Sequence, residues 1–167
     1  LSIRRQRQMC IRDRTQATGV TGGFVINGQS ASGQSGRSIS AAGDINGDGL
    51  ADLAIGAPGT ASGAGWTYVV FGRTGTSPIN LSDIGQTTGA GGFVIYGQSA
   101  SDYSAMSVAN AGDVNGDGLA DLIIGATLAA STGRAYVVFG KVGTTAINLS
   151  AIGQTTGTGG FVTVSYT

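Results

Sequence analysis

Apolar residues in this chain come in short bursts. Leu53-Ala54-Ile55, Tyr68-Val69-Val70-Phe71, Phe93-Val94-Ile95-Tyr96, Leu122-Ile123-Ile124 and Tyr136-Val137-Val138-Phe139 are each bounded by glycine or small polar residues. Bursts of this length, rich in β-branched and aromatic residues and closed by turn formers, predict strands. Helix is disfavoured, because glycine is costly in a helix interior and nothing offsets it here. Four strands are predicted in a first unit, at residues 37–43, 53–57, 66–71 and 93–97. Four more are predicted in a second, at 106–112, 122–126, 135–139 and from 161 onward.

The two units are copies of one another. Gly22-Gly23-Phe24-Val25-Ile26-Asn27-Gly28-Gln29 returns as Gly91-Gly92-Phe93-Val94-Ile95-Tyr96-Gly97-Gln98. Ile79-Asn80-Leu81-Ser82 returns as Ile147-Asn148-Leu149-Ser150. The offset is 69 residues before Ala61 and 68 after it, so one residue is lost in a surface turn. Self-similarity at a long period is the signature of a repeat architecture. Four antiparallel strands per period make one propeller blade. The fold class expected is therefore all-β, about two blades of a larger β-propeller, with residues 24–27 as the last strand of a preceding blade.

The division expected along the chain is residues 15–35 as that strand and a linker, 36–98 as one blade and 99–163 as the next. Residues 1–14 and 164–167 do not match the repeat. Both read as artefacts of a truncated assembly, the first resembling translated adapter read-through. The alternative for the start is a basic arm for nucleic acid or anionic lipid. We expect neither nucleic-acid binding nor membrane insertion, since nothing approaches 18 consecutive apolar residues.

Charge sharpens the picture. Formal net charge is zero, but five of the nine basic residues lie in the first 14 positions. From residue 15 onward eight Asp face four Lys/Arg, and six of those Asp fall in two nine-residue loops. The loops read Asp44-Ile45-Asn46-Gly47-Asp48-Gly49-Leu50-Ala51-Asp52 and Asp113-Val114-Asn115-Gly116-Asp117-Gly118-Leu119-Ala120-Asp121. Oxygen-bearing side chains stand at positions 1, 3, 5 and 9, with Gly at 6. Calcium takes six to eight oxygens in flexible geometry, and this spacing supplies them. Asp44, Asn46, Asp48, the Leu50 carbonyl and Asp52 are the expected ligands of one ion. Asp113, Asn115, Asp117, the Leu119 carbonyl and Asp121 are those of a second. The plain alternative is a pair of hairpin turns, since Asn-Gly and Asp-Gly form turns unaided. Three unpaired carboxylates in nine residues would repel one another, which favours the cation reading. Without His or a nearby thiolate, zinc and copper are disfavoured. An EF-hand would need Glu at position 12 and a following helix. Position 12 here is Ile55 or Ile124, inside a predicted strand.

These residues carry a resemblance. Residues 36–40, Ala42-Gly43-Asp44 through Gly49, Asp52-Leu53, Gly56-Ala57-Pro58 and 68–72 resemble the FG-GAP repeat of integrin α-chain β-propellers and their bacterial relatives. The second unit matches at residues 112–118, Asp121-Leu122, Gly125-Ala126 and 136–140. It departs where Ser35-Gly36 and Ser104-Ala105 replace the opening Phe-Gly, and at Thr127 in place of Pro. The resemblance implies a calcium loop between the first two strands of each blade, on one propeller face, and one structural ion per blade. It also implies a seven-bladed ring, with the remaining blades of the parent as partners and loops presented to a protein or glycan ligand.

The function expected is that of a calcium-binding propeller of a secreted or cell-surface protein serving adhesion or recognition. The alternatives are an accessory propeller of a secreted hydrolase, phospholipase-like or glycan-active, and a structural stalk of repeats. Catalysis has little to rest on. There is no His or Glu, and Asp83, Asp102 and Lys141 are isolated in sequence. The chain is therefore not expected to be an enzyme. Trp66, Tyr68 and Phe71 are expected in a core between blades rather than on a ligand-stacking surface. Asn80-Leu81-Ser82 and Asn148-Leu149-Ser150 fit a glycosylation sequon, but their shared repeat position suits a structural role equally well.

Overall fold

A computed structural model describes residues 22–85, 91–152 and 159–164. Residues 1–14, expected as an artefact with a basic arm as the alternative, lie outside the described residues, as do 165–167. Strands follow in the order β1 (Ile26–Asn27), β2 (Ser38–Gly43), β3 (Asp52–Ala57), β4 (Trp66–Val70), β5 (Ile79–Asn80) and β6 (Gly92–Tyr96). The second unit adds β7 (Ser104–Gly112), β8 (Asp121–Ala126), β9 (Arg134–Val138), β10 (Ile147–Asn148) and β11 (Gly160–Val164).

Strands β2, β3, β4 and β6 pair antiparallel in that spatial order, and β7, β8, β9 and β11 repeat the arrangement. All eight predicted strands are present, with boundaries shifted by two residues at most. Val164, expected to begin a foreign tail, pairs with Arg134 at the end of β11.

Strand periodicity sorts the side chains of β4 and β6 onto two faces. Ala54, Val69, Phe93 and Ile95 lie in a core shared with Val108, Leu122, Ile124, Tyr136 and Val138 of the second sheet. Ile55, Tyr68, Val70 and Val94 point the other way, into a second core. Burial of each such side chain is worth about 1.5–3 kcal/mol. Both faces of the first sheet are therefore buried, which accounts for its near-continuous apolar strands. Tyr68 is fully buried, while Trp66 and Phe71 pack at core margins, as expected of residues between blades.

Strand β1 falls within the strand expected at residues 24–27, but the two-residue strands β5 and β10 were not foreseen. In chain order β10 lies between β9 and β11, yet it pairs in parallel with β6 of the preceding unit. In the same way β5 pairs with β1, and Asn27 Nδ2 donates to Asn80 Oδ1 at 3.0 Å. Each connection between third and fourth strands thus reaches back and adds an edge strand to the unit before it. A short 3₁₀ turn comes after each, Leu81–Asp83 and Leu149–Ala151, and buries its leucine. The sequons are part of this clasp: Asn80 Nδ2 donates to Asp83, and Asn148 Oδ1 accepts the backbone N–H of Ser150.

A repeated glutamine adds a second tie. The Tyr68 hydroxyl donates to Gln29 Oε1, and the Tyr136 hydroxyl donates to Gln98 Oε1 at 2.9 Å. Burial, with a smaller contribution from Tyr96, pushes the Tyr68 phenol up to about 12. The folded state then holds this proton more tightly than the unfolded state, whose phenol titrates at about 10. Its stabilising contribution is intact below pH 10 and is lost as pH rises toward 12. Urea unfolding across that window should reveal a loss on the order of 2 kcal/mol. Tyr68→Phe should flatten the profile, and an unchanged slope would mean that Tyr68 is not its source.

Candidate metal centre

Each acidic loop is the hairpin between the first two strands of its unit, joining β2 to β3 and β7 to β8. A register shift precedes each loop, between Ala41 and Gly43 and between Asn110 and Gly112. A bulge bends its strand and re-aims the residues beyond it, so both loops leave their sheets in the same way. Neither loop leads into a helix, which removes the EF-hand alternative.

Within the first loop the carboxylate at position 1 organises the backbone. Asp44 Oδ1 accepts the N–H groups of Gly47 (2.8 Å) and Asp48 (3.0 Å), and Oδ2 accepts that of Gly49 (2.9 Å). Asn46 Oδ1 accepts from Asp48 N, Asp48 Oδ1 accepts from Leu50 N, and Asn46 Nδ2 donates to Asp48 Oδ2. The second loop repeats all six bonds, with Asp113, Asn115 and Asp117 in the same roles. The turn needs left-handed backbone at positions 4 and 6, met by Gly47 and Gly49 (φ +78° and +85°) and by Gly116 and Gly118. A side chain at these positions would be strained.

Position 9 does something the spacing did not reveal. Asp52 is fully buried. Its Oδ2 accepts Ile45 N at 2.9 Å and its Oδ1 accepts Gly72 N at 2.7 Å, tying the start of the loop to the end of β4. Asp121 does the same with Val114 N (2.7 Å) and Gly140 N (2.8 Å). Burial raises the Asp52 pKa above the ordinary carboxylate value; the two backbone donors oppose this, and the charges of Asp48 and Asp44 add to it.

The structure thus joins positions 1, 3 and 5 of each loop by hydrogen bonds and anchors position 9 through the backbone. Among the described residues, no three carboxylate, imidazole or thiolate groups converge on one point. The donor set itself suits a hard cation. A carboxylate offers about four acceptor sites and an amide oxygen two. After the bonds above, roughly one site remains on Asp44, one on Asn46 and two each on Asp48 and Asp52, before the Leu50 carbonyl is added. That capacity reaches the six to eight oxygens that Ca²⁺ takes.

The first loop also touches the second unit. Ala120 N donates to the Asp44 carbonyl at 3.1 Å, and Lys141 N donates to the Ile45 carbonyl at 2.9 Å. Lys141 then places its ammonium 4.8 Å from the Phe93 ring centre, a contact mirrored by Arg73 over Phe24. Ile45 is fully buried, whereas its counterpart Val114 is 49% exposed.

Comparison with known proteins agrees with this geometry. The FG-GAP repeat family matches residues 35–69 and 104–138, each match running from the first strand of a unit through its loop to the third. The chain is 34% identical to Integrin alpha-M of Mus musculus over 94 residues, which is 56% of this chain and 8% of that protein. It is 33% identical to Integrin alpha-X of Mus musculus over 97 residues, 56% of this chain and 7% of that protein. The chain spans less than a tenth of the length of these relatives. Each matched unit is built as a four-stranded antiparallel sheet around the same acidic hairpin, so the chain carries two FG-GAP repeats, similar to those of integrin α chains and folded as about two β-propeller blades.

Proposed function

We propose that the chain is a calcium-binding propeller segment of a secreted or cell-surface protein that serves adhesion or protein recognition, with one Ca²⁺ per blade. The blades are residues 36–98 and 99–163. Asp44, Asn46, Asp48, Asp52 and the Leu50 carbonyl would hold the first ion. Asp113, Asn115, Asp117, Asp121 and the Leu119 carbonyl would hold the second. The observation that carries this reading is the identity of the two loops, six hydrogen bonds for six, at the same hairpin of each blade.

A bound cation would supply positive charge where three carboxylates of one loop otherwise repel. The chain's own residues do the rest: Asp44 and Asp113 shape the turn, and Asp52 and Asp121 lock it to the third strand. The role of the ion is then structural, stiffening the hairpin. Extracellular modules bind calcium at about 10⁻⁴–10⁻³ M, so such sites fill outside cells and stay empty in most cytosol. The partners are the remaining blades of a parent propeller, and a protein or glycan ligand on the loop face. The chain has no His or Glu, in keeping with a non-catalytic role. Among the described residues, no helix is long and apolar enough to cross a membrane.

Equilibrium dialysis against radioactive calcium tests the reading. The expected result is two ions per chain, and none in the double variant Asp48→Ala/Asp117→Ala. Fewer than one ion per chain at 5 mM calcium, well above the about 10⁻³ M upper bound for extracellular modules, would return the loops to plain hairpins.

A further inference from the structure

We propose that the two acidic loops are energetically coupled, so that filling one cation site strengthens the other; this rests on the calcium reading above. The coupling element is a single peptide plane. Ala120 N–H donates to the carbonyl of Asp44, the first residue of the first loop. The carbonyl of that same peptide unit belongs to Leu119, the backbone ligand assigned to the second loop. The peptide bond is planar and resists twisting, so its N–H and C=O move together. Ordering Asp44 therefore orders the Leu119 carbonyl.

A second route runs beside the first. Asp121, which closes the second loop, accepts the N–H of Gly140. The next residue, Lys141, donates its own N–H to the carbonyl of Ile45. Position 9 of the second loop is thereby two hydrogen bonds and one residue of chain away from position 2 of the first. The contact is also tight. A Cβ on Gly43 would lie 2.6 Å from the Ala120 Cβ, and one on Gly47 would lie 3.0 Å from Leu119 Cδ2. The equivalent glycines of the second loop, Gly112 and Gly116, have nothing within 4 Å. The loops thus stack in one direction, the first beneath residues 119–120 of the second.

Coupling between two sites is reciprocal, and typical values change affinity by about 5- to 150-fold. Calorimetric titration of the whole chain with calcium alone is the test, on the parent and on Asp48→Ala and Asp117→Ala separately. Both substituted residues are exposed, which favours retention of the fold. The parent should bind two ions with a Hill coefficient above 1, and each variant should bind one ion about two- to twelvefold more weakly than the parent midpoint, the square root of that coupling factor. Hydrogen exchange gives a direct readout of the bridge: in Asp117→Ala, calcium can fill only the first loop, yet it should slow exchange of the Ala120 amide. Two ions bound by the parent with Hill coefficient 1, and one ion bound by each variant at the parent's affinity, would overturn the coupling while leaving the calcium reading intact. An Ala120 amide indifferent to calcium in Asp117→Ala would overturn it as well. No ion bound by the parent would sink the calcium reading itself, and the coupling with it.

Discussion

Millimolar calcium should raise the melting temperature of the parent chain and leave the double variant Asp48→Ala/Asp117→Ala unmoved. A ligand that binds only the folded state stabilises it by RT ln(1 + [L]/Kd). At 5 mM calcium and a Kd of about 10⁻⁴–10⁻³ M, each loop gains about 1–2 kcal/mol. Two loops gain about 2–5 kcal/mol, which for a chain of this length is a shift of roughly 4–20 °C. Magnesium at the same concentration should do much less, because it demands near-ideal octahedral geometry and gives up water reluctantly. Thermal unfolding with calcium, with magnesium and with chelator gives the answer. A parent that melts at one temperature in all three has loops that form as plain turns.

Asp52→Ala should destabilise the chain even in chelator, by about 2–5 kcal/mol. Its two oxygens satisfy Ile45 N and Gly72 N from a fully buried position. Each buried donor left without a partner costs about 1–3 kcal/mol. The penalty is partly offset, because the variant no longer buries a charge beside Asp48 and Asp44. Asp52→Asn keeps one acceptor but turns an amide donor toward a second donor, so it should fall between parent and alanine. Asp121→Ala should cost a similar amount: Val114 is more exposed than its counterpart Ile45, but the other donor, Gly140, is buried where Gly72 is half-buried. Urea unfolding in chelator separates this role from metal binding, because Asp48→Ala should move little there. If Asp52→Ala unfolds with the parent in chelator, position 9 contributes only as a ligand.

Much of the fold was legible because its signals are local. Tyr68-Val69-Val70-Phe71 and its copy at Tyr136 announce third strands by composition alone. Asn46-Gly47 and Asp48-Gly49 announce a hairpin, and repetition at 69 residues says that the hairpin belongs to a unit. The donor residues were legible too, because oxygens at alternate loop positions need no distant partner to be read. The two-residue strands β5 and β10 were not. Two residues have no periodicity to detect, and Ile147-Asn148 becomes a strand only because β6 offers a free edge beside it. The backbone role of Asp52 was equally hidden, since one of its partners, Gly72, lies 20 residues away.

By itself, the sequence determined the number of repeats, the order of their strands, the place of the acidic hairpins and the chemistry of their donors. Each of these comes from residues within a few positions of one another. Only the tertiary structure decided how units hold one another: the parallel clasps, the glutamine ties to Tyr68 and Tyr136, and the Ala120 and Lys141 bonds onto the first loop. The last of these lay residues 119–120 and 141 of one blade onto the acidic loop of the blade before it. Local sequence carries no sign of such contacts, because they depend on what packs against a loop, and that is settled when one sheet docks on the next.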